Sequence, residues 1–407
     1  MSPSHGRSYL AIPGPSVIPE AVLQAMHRPS PNIYEGELVD LTDSLIPDLR
    51  TVAQTKGHVA MYMGNGHAAW EASLANVCSR GDRVLVLATG RFGHGWAEMA
   101  EGLALDVQIL EFGLERAVDP AQVEEVLRAD TTHSIKAVLA VHVDTSTSIL
   151  SDVPAIRAAI DAAGHPALLM ADCVASLGCD RFEMDAWGVD VMISASQKGL
   201  MTPAGLAFVF FNDRAKARRG DLATRYWDWS LRAEPDAFYR YWCGTAATHH
   251  IYGLRTALDM MMDEGMPAIW ARHERLAQAV WSACEAWGAT GPLKLNVADR
   301  ALRSRAVTAI GIGPGQGDAL RHWCEHEAGL TLGIGLGRTP PDAFFRIGHM
   351  GYVNAQMILG CLATIQAGLV ALDIPHGQGA IDAAARAVTG GSVAAQAADA
   401  DIQRRCG

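Results

Sequence analysis

Three places in this sequence set reactive side chains at the end of an apolar run. Ala167–Ala171 is followed by Asp172, Asp190–Ser194 by Ala195-Ser196-Gln197-Lys198, and His58–Met63 by Gly64-Asn65-Gly66-His67. A lysine at the carboxyl end of a buried strand loses part of its hydration, which disfavours the ammonium form and frees a neutral amine to attack a carbonyl. An aspartate in the same place can face a cationic ring nitrogen. A glycine-containing turn that opens a helix offers backbone N–H groups and the positive end of the helix dipole to a phosphate. Those are the imine linkage, the pyridinium partner and the phosphate anchor that pyridoxal 5′-phosphate needs. From spacing alone an ordinary alternative stays open, in which Lys198 is a solvated loop lysine and Asp172 caps a helix.

For these residues to meet, the runs that carry them must lie side by side. Short apolar runs at His58–Met63, Arg83–Ala88, Asp106–Phe112, Lys136–Val141, Ala167–Ala171, Asp190–Ser194 and Leu206–Phe211 alternate with amphipathic stretches such as His67–Cys78, Pro120–Arg128 and Val153–Ala163. Continuous Val/Ile/Leu runs separated by helices predict a buried, mostly parallel sheet covered on both faces, with ligands at the carboxyl ends of its strands. Before it, Gly36–Lys56 reads as helical. The pattern fades after Asp213: Gly220–Thr245 is rich in Tyr and Trp without a clear period. A long helical stretch from Ala246 to Trp287 is interrupted near Gly265, and strand candidates return at Ala306–Ile312 and Ala343–Ile347. The expected architecture is α/β: an N-terminal segment (1–20), a large domain (21–264), a smaller C-terminal α+β domain (265–385) and a flexible tail (386–407).

Composition narrows the functional classes. The 407 residues hold 33 Lys+Arg against 44 Asp+Glu, a net charge of −11, so the chain lacks the cationic field that a nucleic-acid backbone needs. No apolar run reaches the roughly 18 residues of a membrane span. Pro13, Pro15 and Pro19 break the N-terminal region, and no apolar signal segment is visible there. Eight scattered cysteines without C-x-x-C pairing read as reduced thiols of a cytoplasmic protein. His322-x-Cys324-x-His326 does not make a metal site, because on a helix the two histidines share a face and Cys324 points away. The glycine series at 311–317 and 333–337 lack the G-x-G-x-x-G order of a dinucleotide loop.

The segments Ala171-Asp172-Cys173-Val174-Ala175-Ser176-Leu177-Gly178 and Ser196-Gln197-Lys198-Gly199 resemble the class V aminotransferases of fold type I, and within them the alanine–glyoxylate and serine–glyoxylate branch. Pro13-Gly14-Pro15, Gly64-Asn65-Gly66-His67 and Phe345-Arg346-Ile347-Gly348-His349-Met350-Gly351 extend the likeness in order over about residues 8–375. The resemblance implies a fold type I, pyridoxal-phosphate-dependent transferase that moves an amino group from a small amino acid to a 2-oxo acid such as glyoxylate or pyruvate. It implies that Lys198 holds the cofactor as a Schiff base and later shuttles a proton, while Asp172 pairs with the ring nitrogen. Asn65, Gly66 and His67 would form the phosphate- and ring-contacting turn, and Gln197 would help bind the phosphate. Phe92 would stack on one ring face, Val174 pack the other, and Thr145 contact the ring side. Trp242 and Thr245 would reach a neighbouring subunit's phosphate site, making the working unit a homodimer. Arg346 would hold the substrate carboxylate through its planar fork.

This sequence departs from the family pattern at several positions. Trp242 replaces a Tyr, Asp144 a Glu and Ser148 a Gly, and Pro31-Asn32-Ile33-Tyr34-Glu35 lacks the His-Arg pair common in the serine–glyoxylate branch. Two rivals stand beside the transaminase reading. A lyase or desulfurase of the same fold needs a mobile cysteine near the site, and none occurs from Thr331 to Arg346; it usually also has a His before the lysine, where Gln197 stands. A nicotinamide-dependent dehydrogenase would bind a dinucleotide in place of an imine-forming cofactor.

Overall fold

The structure, a computed structural model, describes residues 3–390. Its larger sheet has seven strands in the order His58–Gly64, Gly205–Phe211, Val191–Ala195, Leu168–Asp172, Ile135–Val141, Arg83–Ala88, Asp106–Glu111. The first two pairings are antiparallel and the other four parallel. The apolar runs become strands because helices cover both faces. Along Ile135–Val141, Ile135, Val138 and Ala140 enter one core, while Ala137, Leu139 and Val141 enter the core on the opposite face. This two-sided burial removes the hydrophobic/polar alternation that a half-exposed strand would show.

A second sheet of five strands has the order Tyr9–Ala11, Leu330–Ile334, Phe344–Gly348, Val307–Gly311, Lys294–Leu295, and it packs its own core under helices Met266–Gly288, Gln316–Ala328 and Ala355–Ala371. Tyr9–Ala11 joins it as an edge strand, parallel to Leu330–Ile334. The long helical stretch is indeed two helices, Thr248–Glu264 and Met266–Gly288, parted at Gly265.

The aromatic-rich segment before them contains only short helices, Trp229–Ala233 and a 3-10 turn at Phe238–Tyr241. It is organised by Arg232, which is fully buried. The guanidinium donates to the carbonyls of Met61 (2.9 Å), Tyr226 (2.7 Å) and Tyr241 (2.9 Å), and lies over the rings of Tyr62 and Tyr226. A buried cation is tolerated here because fixed acceptors and π-faces replace its water.

Helix Ala380–Val388 extends into the stretch expected as a tail; the remainder of that stretch, from 391, lies outside the described residues. Among the described residues no helix is long and apolar enough to cross a membrane, no cluster of His, Cys, Asp and Glu could hold a metal, and the cysteines are free thiols. His322 and His326 do share a helix face, their rings 5.0 Å apart, while Cys324 is buried on the other side.

Candidate active site

Parallel strands finish on the same edge of a sheet, and that edge gathers the reactive groups. Asp172 is the last residue of its strand; Lys198 follows the neighbouring strand Val191–Ala195, which pairs with it in the register Asp172↔Ile193. From the other side, His58–Gly64 delivers Asn65, whose side chain caps helix Gly66–Val77 by accepting from His67 N at 3.0 Å. These elements enclose a cavity of about 210 Å³ lined by Asn65, Gly66, His67, Trp70, Phe92, Val143, Thr145, Asp172, Val174, Ala175, Gln197 and Lys198. Every residue expected around the ring and phosphate within one chain is therefore brought together. Trp70 and the apolar pair Val143 and Ala175 are additions that the sequence does not single out.

Burial governs the electrostatics of the cavity. Lys198 is pushed down to about 8, chiefly by desolvation and then by the charge of Arg346, with Asp172 opposing. Its Nζ donates to the Pro13 carbonyl, so the N-terminal segment closes over the amine. Gly14, at φ +99°, leaves room for this: a Cβ there would overlap the lysine side chain. Ser16 fastens the same crossing by donating Oγ to the Lys198 carbonyl at 2.7 Å. Asp172 is pushed up to about 6 by burial, against hydrogen bonds from Val174 N (2.7 Å) and Trp70 Nε1 (2.8 Å). A cation placed against it would return it to the ionised state.

The cavity wall is set by close approaches. A Cβ on Gly66 would meet Val174 Cγ2 at 2.9 Å, so only glycine lets the helix N-terminus come this near the ring pocket. Phe92, in the first turn of helix Arg91–Gly102, is fixed through its backbone N–H, which donates to Asp144 Oδ2 at 2.8 Å. Asp144 is fully buried and also accepts from the Ser146 N–H, beside Thr145.

Arg346 lies outside the cavity lining, in the central strand of the small sheet, and is buried. Its Nε donates to the Ile334 carbonyl at 2.7 Å and its Nη1 to the Thr145 carbonyl at 2.8 Å. Both partners are carbonyls, which orient the guanidinium without neutralising it. Burial lowers its pKa to about 10, with Asp144 opposing, which leaves it cationic at neutral pH. Trp242 and Thr245 are elsewhere. Trp242, expected to present its indole to a neighbouring subunit, is turned into this chain's own core at 1 % exposure, because a large flat ring gains more by burial than by standing in water. Thr245 is exposed.

The residues present fit pyridoxal phosphate. The cavity offers an amine whose neutral form is accessible, a buried carboxylate, an aromatic wall at Phe92, an apolar wall at Val174 and a helix N-terminus. Gln197 adds a buried amide oxygen with no partner, at an end that an amide flip would turn into an N–H donor.

Comparison with known proteins agrees. Residues 62–337 match the family model described as aminotransferase class-V. A serine–glyoxylate aminotransferase of Methylorubrum extorquens is 38% identical over 378 residues, spanning 90% of this chain and 92% of that protein. An L-aspartate–glyoxylate aminotransferase of Paracoccus denitrificans is 34% identical over 380 residues, 92% and 94% of the two chains. Among solved structures, the ureidoglycine–glyoxylate aminotransferase of Bacillus subtilis superposes with a TM-score of 0.84 at 27% identity, covering 94% of this chain and 98% of that one. The fold and site define a fold type I pyridoxal-phosphate enzyme. The chain belongs to the class V aminotransferase family, and it is an aminotransferase.

Proposed function

We propose that this enzyme takes the amino group of a small amino acid and gives it to a small 2-oxo acid of the glyoxylate or pyruvate type, in two half-reactions at one site. The observation that carries the reading is the meeting of Lys198 and Asp172 at one strand edge, in a single small cavity beside a cationic Arg346. Relatives named for serine and for aspartate as donor share glyoxylate in their names, which supports that acceptor and leaves the donor to experiment.

Pyridoxal phosphate, when bound, supplies an electron sink for the bond broken at the substrate's α-carbon. Lys198 would supply the amine that holds the cofactor, and the same Nζ is placed to take the proton from the substrate's α-carbon. A side chain near pKa 8 suits both duties, because neutral and charged forms exchange at working pH. Asp172 would keep a proton on the cofactor's ring nitrogen, while Asn65, Gly66, His67 and Gln197 would hold its phosphate. Phe92 and Val174 would hold the two faces of the ring, and Thr145 would border its side. Arg346 fixes the substrate carboxylate, leaving the α-carbon near Lys198.

The active unit is read as a homodimer in the cytoplasm, with Thr245 and the Trp242 segment contributed to the neighbour's phosphate site. The exposure of Thr245 in the single chain fits a contribution to a neighbouring copy. The chain's architecture is read as a large cofactor-holding unit (21–264) and a smaller unit (265–385) that supplies Arg346.

The test is spectroscopic and kinetic. Purified protein given pyridoxal phosphate develops a visible imine band that is reduced by borohydride onto Lys198, and donors are then screened against glyoxylate and pyruvate. Lys198→Ala loses the band, and turnover falls on the order of 10³-fold or more. Full turnover in Lys198→Ala would overturn the assignment.

A further inference from the structure

Trp70 lies one helical turn beyond the Asn65-Gly66-His67 turn, on helix Gly66–Val77, at 2 % exposure. Its Nε1 donates to Asp172 Oδ2 at 2.8 Å, while Val174 N donates to Oδ1 at 2.7 Å. The two carboxylate oxygens thus each face one fixed N–H. An indole nitrogen is a donor only, so this contact favours the ionised carboxylate in every state of the site.

The ring is held in place. Trp70 stacks on the fully buried Trp96, with centroids 6.0 Å apart and planes 12° apart. Its other neighbours are His67, at 4.5 Å between centroids, and Phe92, edge-on at 6.3 Å. It therefore touches both the phosphate turn and the ring-stacking residue while bonding the carboxylate between them. The groups acting on Asp172 are mixed: Asp144 disfavours its charge, Lys198 favours it, and the adjacent Cys173 thiol is buried and held neutral.

We propose that Trp70 is the positioning residue of Asp172: its indole N–H occupies Oδ2 from one side and reserves the carboxylate as an oriented, ionised acceptor for the ring nitrogen of the cofactor. The inference rests on the reading that Asp172 meets that nitrogen. It links phosphate binding and electron-sink strength through one turn of one helix, since a shift of the helix N-terminus moves the Trp70 donor with it.

The experiment uses full-length protein loaded with pyridoxal phosphate and two variants. Trp70→Phe keeps an aromatic ring without the donor, and Trp70→His keeps an N–H on a smaller ring. The proposal expects kcat of Trp70→Phe to fall about tenfold with the donor KM within about twofold, and the pH midpoint of the visible band to move by about one unit. Trp70→His recovers part of both. Removing the indole N–H in an Asp172→Asn background adds little, because both changes act through one group. Cofactor affinity and the thermal midpoint of the apoprotein are measured alongside. Wild-type band position and kcat in Trp70→Phe would overturn the proposal, as would equal losses in both variants, additive effects with Asp172→Asn, or failure of both variants to fold, which would assign the indole to packing. If wild-type protein forms no band at all, the cofactor reading itself has failed, a separate outcome visible before any variant is made.

Discussion

At the residue scale, the site works by desolvating one amine and one guanidinium close together. An ordinary lysine is almost wholly ammonium at pH 7, whereas one near pKa 8 is roughly a tenth neutral. Because the neutral amine is the nucleophile, the rate of cofactor capture by apoprotein is expected to rise about tenfold per pH unit below 8 and to flatten above it; stopped-flow absorbance across pH 6–10 checks this. The stability sign follows from the same shift. Lys198 binds its proton less well folded than unfolded, so apoprotein gains stability as pH rises from about 8 towards 10.5. Arg346→Lys keeps a charge but loses the planar fork, so KM for both the amino and the oxo acid is expected to rise roughly 10–100-fold with the cofactor band unchanged. Lys198 and Asp172 were legible in the sequence because each follows a buried apolar run, whereas Arg346, set inside the strand Phe344–Gly348, was legible only through the motif that carries the family resemblance. Trp70 was not: its spacing from His67 is ordinary helix spacing, and only the structure shows its nitrogen on Asp172.

At the element scale, the loop after Ile135–Val141 joins the two halves of the site. Asp144 caps the start of helix Arg91–Gly102 through Phe92 N and Gly93 N, and the next residue gives its carbonyl to Arg346. Asn296 of the small-sheet region donates Nδ2 to the carbonyls of Leu114 and Thr147 (2.7 and 2.8 Å), docking that region on this loop and on the segment after Asp106–Glu111. Asp144→Ala removes the buried acceptor of the Phe92 and Gly93 N–H groups at the helix start and of the Ser146 N–H and Oγ. It is expected to lower stability by about 2 kcal/mol in a denaturant melt of apoprotein and to weaken cofactor binding through Phe92. Arg232→Met leaves the carbonyls of Met61, Tyr226 and Tyr241 without their donor, so a loss of about 3 kcal/mol is expected in the same assay. Most strands of the large sheet could be read from sequence because their apolar runs are continuous; the edge strand Asp106–Glu111, Asp-Val-Gln-Ile-Leu-Glu, is mixed and mostly exposed, and is the weakest of the seven signals. The aromatic segment could not be read, since its order comes from one buried cation and carries no periodicity.

At the scale of the whole molecule, the dimer reading predicts that cofactor retention depends on protein concentration. Sedimentation velocity is expected to show a species of twice the chain mass, and dilution into the range where it dissociates should release cofactor. Thr245→Ala is expected to weaken cofactor binding without loss of chain stability, since Thr245 is exposed in the single chain. Tyr9–Ala11 was invisible to sequence reading for a reason at this scale. It is three residues long, and the neighbour that makes it a strand is Leu330–Ile334. That pairing also has a consequence in time. On a ribosome adding roughly 5–20 residues per second, the first strand emerges many seconds before its neighbour exists. Until then the segment that runs to Pro13 and Ser16 lacks its sheet partner, and is tied to the site only by Ser16 on the Lys198 and Gln197 carbonyls and by Lys198 on Pro13. The large sheet can form early, but the covering segment gains its second anchorage, the pairing with Leu330–Ile334, only late in synthesis, so a nascent chain stalled before Leu330 would hold Lys198 under a segment fastened at one end only.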